Sequence, residues 1–182
     1  MTEPDTDAVD AEVRPYDPDR DREALWALKR GFELGIGEKG GEEKESAYEG
    51  KLDSRYRERY LAWVGRCVAD EDCVFVADAT DTNGSDDTGD GNDDLDGYLF
   101  LLPERLAFVW DAAVLNEVYV RPGRRGTGLA DALMDRAVGH ARGQDLPLDR
   151  LVLDVDRENE RARAFYDRHG FTHWGEMVAR DL

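Results

Sequence analysis

An α/β domain, with a mixed central sheet and flanking helices, is the fold class this sequence predicts. Three observations carry the prediction. Two short apolar runs, Cys73-Val74-Phe75-Val76-Ala77 and Gly97-Tyr98-Leu99-Phe100-Leu101-Leu102, flank one polar loop and read as an antiparallel hairpin. Further on, a strand over 110–120, a helix over 126–142 and a strand over 151–155 make a β-α-β crossover, which pairs its strands in parallel. The length, 182 residues with 41% hydrophobic, suits one domain with a sizeable core.

The elements follow in chain order. Residues 1–11 are acidic, lack the basic and apolar regions of a signal peptide, and read as a flexible tail on a cytoplasmic protein. A single domain is expected over 12–182. Glu12-Val13-Arg14-Pro15-Tyr16 reads as a first strand. Asp17 or Asp19 then caps a helix with Pro18 early in it and Leu25, Trp26, Leu28 and Phe32 on its apolar face. Gly31, Gly35, Gly37, Gly40 and Gly41 mark its end and a mobile loop. A second helix is expected over 43–68. There Tyr56, Tyr60, Trp63, Val64 and Cys67 follow a three-four spacing and read as core, with substrate lining as the alternative.

Residues 79–96 form an Asp/Gly-rich loop expected to be disordered. Its Asp86-x-Thr88-x-Asp90-Gly91 approaches a calcium-loop pattern, but Gly97 stands at the twelfth position, where that loop needs an acid. After the crossover, 159–168 reads as a helix closed by His169-Gly170, and 171–178 as a last strand.

Composition bounds the function. The chain carries 24 basic and 42 acidic residues, a net charge of −18. Its lysines are Lys29, Lys39, Lys44 and Lys51; the other basic side chains are Arg. The acid is spread over tail, loops and helices. That favours solvation in a salt-accumulating halophile, where molar salt shortens the Debye length to about 3 Å, over attraction of a cationic partner. The charge argues against nucleic acid, and no apolar run suggests a membrane span. Cys67 and Cys73 read as buried thiols. His140, His169 and His173 have no metal-ligand spacing, and no metal is expected.

One stretch organises the rest. The strand Val114-Leu115-Asn116-Glu117-Val118-Tyr119-Val120 is stopped by Pro122-Gly123, and after Gly128 the spacing turns helical. Period two puts Leu115, Glu117 and Tyr119 on one face and Val114, Val118 and Val120 on the other. A glycine-bearing turn opening a helix offers unpaired N–H groups and partial positive charge, and Arg124 and Arg125 add full charge: a place to hold a phosphate. The nucleotide fingerprints fail. No Gly-Lys-Ser/Thr is present, and Gly126-x-Gly128 is followed by Asp131 where a dinucleotide loop needs Gly or Ala. A second constellation, Asn159, Ala162, Phe165, Tyr166 and Gly170-Phe171, places Asn159 and Tyr166 two helical turns apart with a small residue between. Either it forms a ligand groove, or Asn159 caps the helix and Tyr166 packs in the core.

Together these residues resemble the GCN5-related N-acetyltransferase (GNAT) family. Arg125-Gly126-Thr127-Gly128-Leu129-Ala130 is similar to that family's pyrophosphate loop, Gln/Arg-x-x-Gly-x-Gly/Ala. Val120-Arg121-Pro122 is similar to the end of its fourth strand, and Asn159-x-x-Ala-x-x-Phe-Tyr-x-x-x-Gly-Phe to its second cofactor motif. The resemblance implies acetyl-CoA as cosubstrate and an amine as acceptor. It places Val118, Tyr119 and Val120 along the pantetheine arm. Arg124, Arg125, Gly126, Thr127, Gly128, Leu129 and Ala130 would meet the pyrophosphate, and Asn159 and Ala162 belong to the second cofactor motif. It makes Glu117 the candidate base and Tyr166 the candidate acid. A non-catalytic acyl-CoA-binding module is the alternative, and a homodimer is compatible with either. The acceptor is not readable.

Overall fold

A computed structural model describes residues 12–39, 41–79 and 95–180 of the chain. The acidic tail, most of the expected disordered loop and the calcium-like pattern lie outside the described residues. The chain divides into two compact units, Met1–Val152 and Leu153–Leu182.

The first unit holds a sheet in the order β1-β2-β3-β4-β5. Its strands are β1 (Val13–Pro15), β2 (Val74–Asp78), β3 (Leu95–Leu101), β4 (Ala113–Val120) and β5 (Leu151–Leu153), the last ending at the boundary. The first three pairings are antiparallel, with Arg14 opposite Val76, Phe75 opposite Leu99, and Tyr98 opposite Tyr119. Helix α4 (Leu129–Ala141) links β4 to β5, the crossover of a mixed sheet. Helices α1 (Arg22–Gly37) and α3 (Ser54–Val68) cover one face, where Trp63 of α3 lies 5.0 Å from the Phe100 ring of β3. Helix α4 covers the other, with His140 against Phe75 at 5.5 Å and Arg136 over the same ring.

Several boundaries differ from the sequence reading. Helix α1 starts at Arg22, after Asp21, whose carboxylate is turned to Arg14 at 2.6 and 2.8 Å instead of capping the helix. The helix then runs through Gly31 and Gly35. Gly31 is a close approach and not a stop: a Cβ there would stand 2.5 Å from the Tyr119 hydroxyl oxygen. The expected second helix is two, α2 (Gly41–Gly50) and α3, because Asp53 caps a new start by accepting from Tyr56 N at 2.7 Å. Leu95 and Asp96, expected in the loop, begin β3, where Arg121 N donates to Asp96 O at 2.9 Å. β4 begins at Ala113, since a 3₁₀ turn over Glu104–Val109 and a left-handed Asp111 (φ +52) take up the residues before it. α4 begins at Leu129, because Gly126 and Gly128 adopt φ +82 and +86.

In the second unit α5 (Glu160–Arg168) forms as expected, but 171–180 is not a strand. A strand exists only as a ladder. Among the described residues the last backbone bond recorded for this segment is Phe171 N to Tyr166 O at 3.0 Å. Trp174, Met177 and Val178 are exposed. Cys67 and Cys73 are free and buried, as read from the sequence.

Candidate active site

The site starts from an irregularity in β4. Phe100 opposes Glu117 and Leu101 opposes Leu115, so Asn116 and Glu117 stand together against one residue of β3, a bulge. The extra residue breaks the period of two. Glu117 and Tyr119 share a face as expected, and it is the one that meets α1, whereas Leu115 is paired with Leu101 and leaves that face.

Glu117 is buried, and four side chains donate to it. Lys29 Nζ reaches Oε1 at 2.6 Å and Asn116 Nδ2 reaches the same oxygen at 3.2 Å. The hydroxyls of Tyr60 and Tyr98 reach Oε2 at 2.8 and 2.7 Å. Burial first, and then the charge of Glu117, push both tyrosine hydroxyls well above their ordinary pKa, so they are donors at neutral pH.

Lys29 carries the network outward. It also pairs with Glu33 at 2.6 Å, one helical turn on, and Lys51 pairs with Glu33 at 2.6 Å. Burial pushes the Glu33 carboxyl up, but Lys29 and Lys51 outweigh it and hold it below its ordinary value. Two buried cation–carboxylate contacts thus share one lysine, and each charge has an opposite neighbour.

This network floors a cavity of about 520 Å³, with Lys29, Tyr60, Trp63 and Glu117 in its lining. Tyr56 and Tyr60 stack with ring centroids 6.3 Å apart. Of the α3 residues read as core, Tyr60, Val64 and Cys67 are buried, as expected, while Tyr56, Tyr60 and Trp63 also line this cavity.

The other end of β4 is built from backbone. Arg121 N donates to Asp96 O, so by antiparallel alternation residues 119 and 121 face β3, while the N–H and C=O groups of Val118 and Val120 turn away from it. β5 is three residues long against eight in β4, so it cannot pair with all of β4. Val120 O accepts from Arg125 Nε at 3.0 Å, and the Arg125 guanidinium lies 5.7 Å from the Tyr119 ring. Thr127 Oγ1 donates to Arg124 O at 2.8 Å and closes the turn. Arg124 Nε stands 2.8 Å from Asp96 Oδ2, so it is tied to β3. At the head of α4 the bond from Ala132 N to Gly128 O leaves the N–H groups of Leu129 and Ala130 outside the helical ladder. A left-handed Gly128 before a helix N-terminus gives the cradle its shape.

Asn159, Ala162 and Tyr166 lie in the second unit. Asn159 Oδ1 accepts from Ala162 N at 3.2 Å, so Asn159 caps α5. Tyr166 is buried between Phe165 and Phe171, and burial lifts its hydroxyl to about 12.

The sequence reading missed Lys29, Glu33 and Tyr98. A signal existed for the first two: charged residues four apart on the stripe that carries Leu25, Leu28 and Phe32. His140 has a packing role, held at 2.7 Å by Glu71. Among the described residues no cluster of three or more His, Cys, Asp or Glu could hold a metal, and no helix is long and apolar enough to cross a membrane.

A bulged fourth strand running through a glycine turn into a helix, on a mixed sheet of this order, defines an acyltransferase fold of the acyl-CoA type. The model of the Acetyltransferase (GNAT) family matches residues 42–171, and the chain belongs to that family, whose acetyl donor is acetyl-CoA. Among curated proteins it is similar to mycothiol acetyltransferase of Beutenbergia cavernae, 44% identical over 88 residues, covering 44% of this chain and 27% of that protein. It is also similar to the 5-NmdU N-acetyltransferase of Pseudomonas phage PaMx11, 41% identical over 65 residues, 36% of this chain and 43% of that one. The match thus spans less than half the length of either relative. Among solved structures, the paia N-acetyltransferase of Thermoplasma acidophilum in complex with coenzyme A superposes with a TM-score of 0.65 at 18% identity, covering 90% of this chain and 91% of that one. That likeness is one of fold.

Proposed function

We propose that the chain transfers the acetyl group of acetyl-CoA to a primary amine. The observation that carries this reading is Glu117. It is a buried carboxylate on the cavity wall, about 10 Å along the strand from Val120, where β4 ends and the chain leaves for the glycine turn. Donor and acceptor then meet on one strand.

In this reading the turn at Arg125, Gly126, Thr127, Gly128, Leu129 and Ala130 holds the pyrophosphate, with Arg124 beside it. The outward N–H and C=O of Val118 and the N–H of Val120 pair with the pantetheine, alongside Tyr119, and the family resemblance assigns Asn159 and Ala162 to the second cofactor motif. The acceptor arrives as an ammonium ion, and Glu117 takes its proton directly or through a water. The amine nitrogen attacks the thioester carbon, and the Val118 N–H stabilises the oxyanion. The C–S bond breaks, Tyr166 gives its proton to the leaving thiolate, and the second proton that the nitrogen loses on becoming an amide returns to the tyrosinate through solvent. With its hydroxyl lifted to about 12, Tyr166 is protonated at neutral pH, as an acid must be.

The four donors on Glu117 also fit a second reading, an acyl-CoA-binding module in which that carboxylate is only an anchor. The test is CoA release from acetyl-CoA over a panel of amines and peptides, at low and molar KCl, with Tyr166→Phe alongside. Transfer predicts release with the native chain and a strong fall in turnover, with little change in acetyl-CoA affinity, in the variant. Acetyl-CoA binding without release from any amine favours the second reading.

A further inference from the structure

The cavity wall is charged against the sign of the molecule. The chain as a whole is −18, yet α3 presents Arg59, Ala62, Trp63 and Arg66 to the cavity. These positions are spaced three, four and seven apart, so they form one stripe along the helix, about 10 Å from first to last. Neither arginine side chain has an ion pair among the described residues, and both are exposed. The third cation, Lys29, is balanced by Glu33 and Glu117. The charge left over on the wall is therefore that of the two guanidiniums. A guanidinium binds a carboxylate or phosphate through paired N–H donors. Tyr60 and Trp63 line the same cavity with ring centroids 6.0 Å apart, and the Tyr60 hydroxyl reaches Glu117.

We infer that the acceptor is an amine that also carries an anionic group, a carboxylate or a phosphate, joined to it through an aromatic or apolar body. The amine end lies at Glu117, the body against Tyr60 and Trp63, and the anion at Arg59 and Arg66. The inference rests on the reading of this cavity as the acceptor side of an N-acetyltransferase. It opposes the second-ranked reading of the overall charge, attraction of a cationic partner.

The test uses the full chain and CoA release, with acceptors in matched pairs: an (aminomethyl)aryl carboxylic acid and its carboxamide, which share the amine and the ring and differ only in the carboxylate at the far end of the ring. An aminoalkyl phosphate separates phosphate from carboxylate recognition, and a linear polyamine represents the opposite charge. The expected result is kcat/KM about tenfold higher for the best anionic acceptor than for its neutral partner, a difference of about 1.4 kcal/mol. In the Arg59→Ser, Arg66→Ser double variant that ratio falls to near one. Equal or better use of the carboxamides or the polyamine overturns the inference, as does a ratio that survives the double substitution. Acetyl-CoA binding with no release from any acceptor overturns the transfer reading beneath it, a separate failure.

Discussion

The two ends of β4 are built on opposite plans. At Glu117 the strand carries a side-chain site: a buried carboxylate held by Lys29, Tyr60, Tyr98 and Asn116, drawn from α1, α3, β3 and β4 itself. From Val118 to Ala130 it carries a backbone site, made of N–H groups, two left-handed glycines and a helix start, nearly all local in sequence. The first depends on the whole fold and should fail with it. The second depends on local dihedral angles and should be removable while the fold survives.

The largest expected effect tests the first half of that contrast. Glu117→Ala takes one carboxylate from a buried lysine and strips the partner from two buried hydroxyls. Stability in urea or thermal unfolding should fall by about 3–5 kcal/mol. A loss below about 1 kcal/mol, the level of an ordinary surface change, would mean that the network does not hold the fold. The second half predicts less. Gly128→Ala forces a left-handed residue to carry a Cβ, at about 1–2 kcal/mol, and should weaken acetyl-CoA binding in calorimetry while the chain stays folded. Gly139→Ala in the same helix meets nothing within 4 Å and has no such strain, so it should stabilise by up to about 1 kcal/mol and leave binding intact.

A smaller effect links the two ends. Gly31→Ala would place a Cβ 2.8 Å from Tyr119 Cζ, so the ring must shift, and its contact with the Arg125 guanidinium shifts with it. Acetyl-CoA affinity should fall by about fivefold, roughly the value of one lost cation–π contact. No change in affinity would separate α1 from the turn. The smallest effect is one of pH. The folded pKa of Glu33 lies below its ordinary 4.5. Its contribution to stability is therefore complete above 4.5 and is lost as pH falls through the folded value. Glu33→Gln should flatten that part of the acid unfolding curve.

The same contrast explains what could be read in advance. Pro122 opens a turn after β4 and Gly126 and Gly128 adopt left-handed dihedrals before α4, so their order along the chain carries the local shape. The cap at Asn159 was legible for the same reason, as one of two readings. Lys29 and Glu117 are 88 positions apart, and no local pattern joins them. The bulge at Asn116 left no mark either, because it is set by how β4 registers on β3. Gly31 looked like a helix end and proved to be room for Tyr119, a distinction that exists only once α1 lies on the sheet.

The sequence by itself determined the strand-turn-helix unit, the hairpin, the crossover and the glycine cradle, since each follows from dihedral preference and period over a few consecutive residues. Only the tertiary structure decided which face Leu115 takes, that Tyr60 and Trp63 line a cavity, and that Glu117 is buried against a lysine. Those depend on burial and register between distant segments. A buried charge can be tolerated only where packing brings an opposite one within reach, and no single segment carries both.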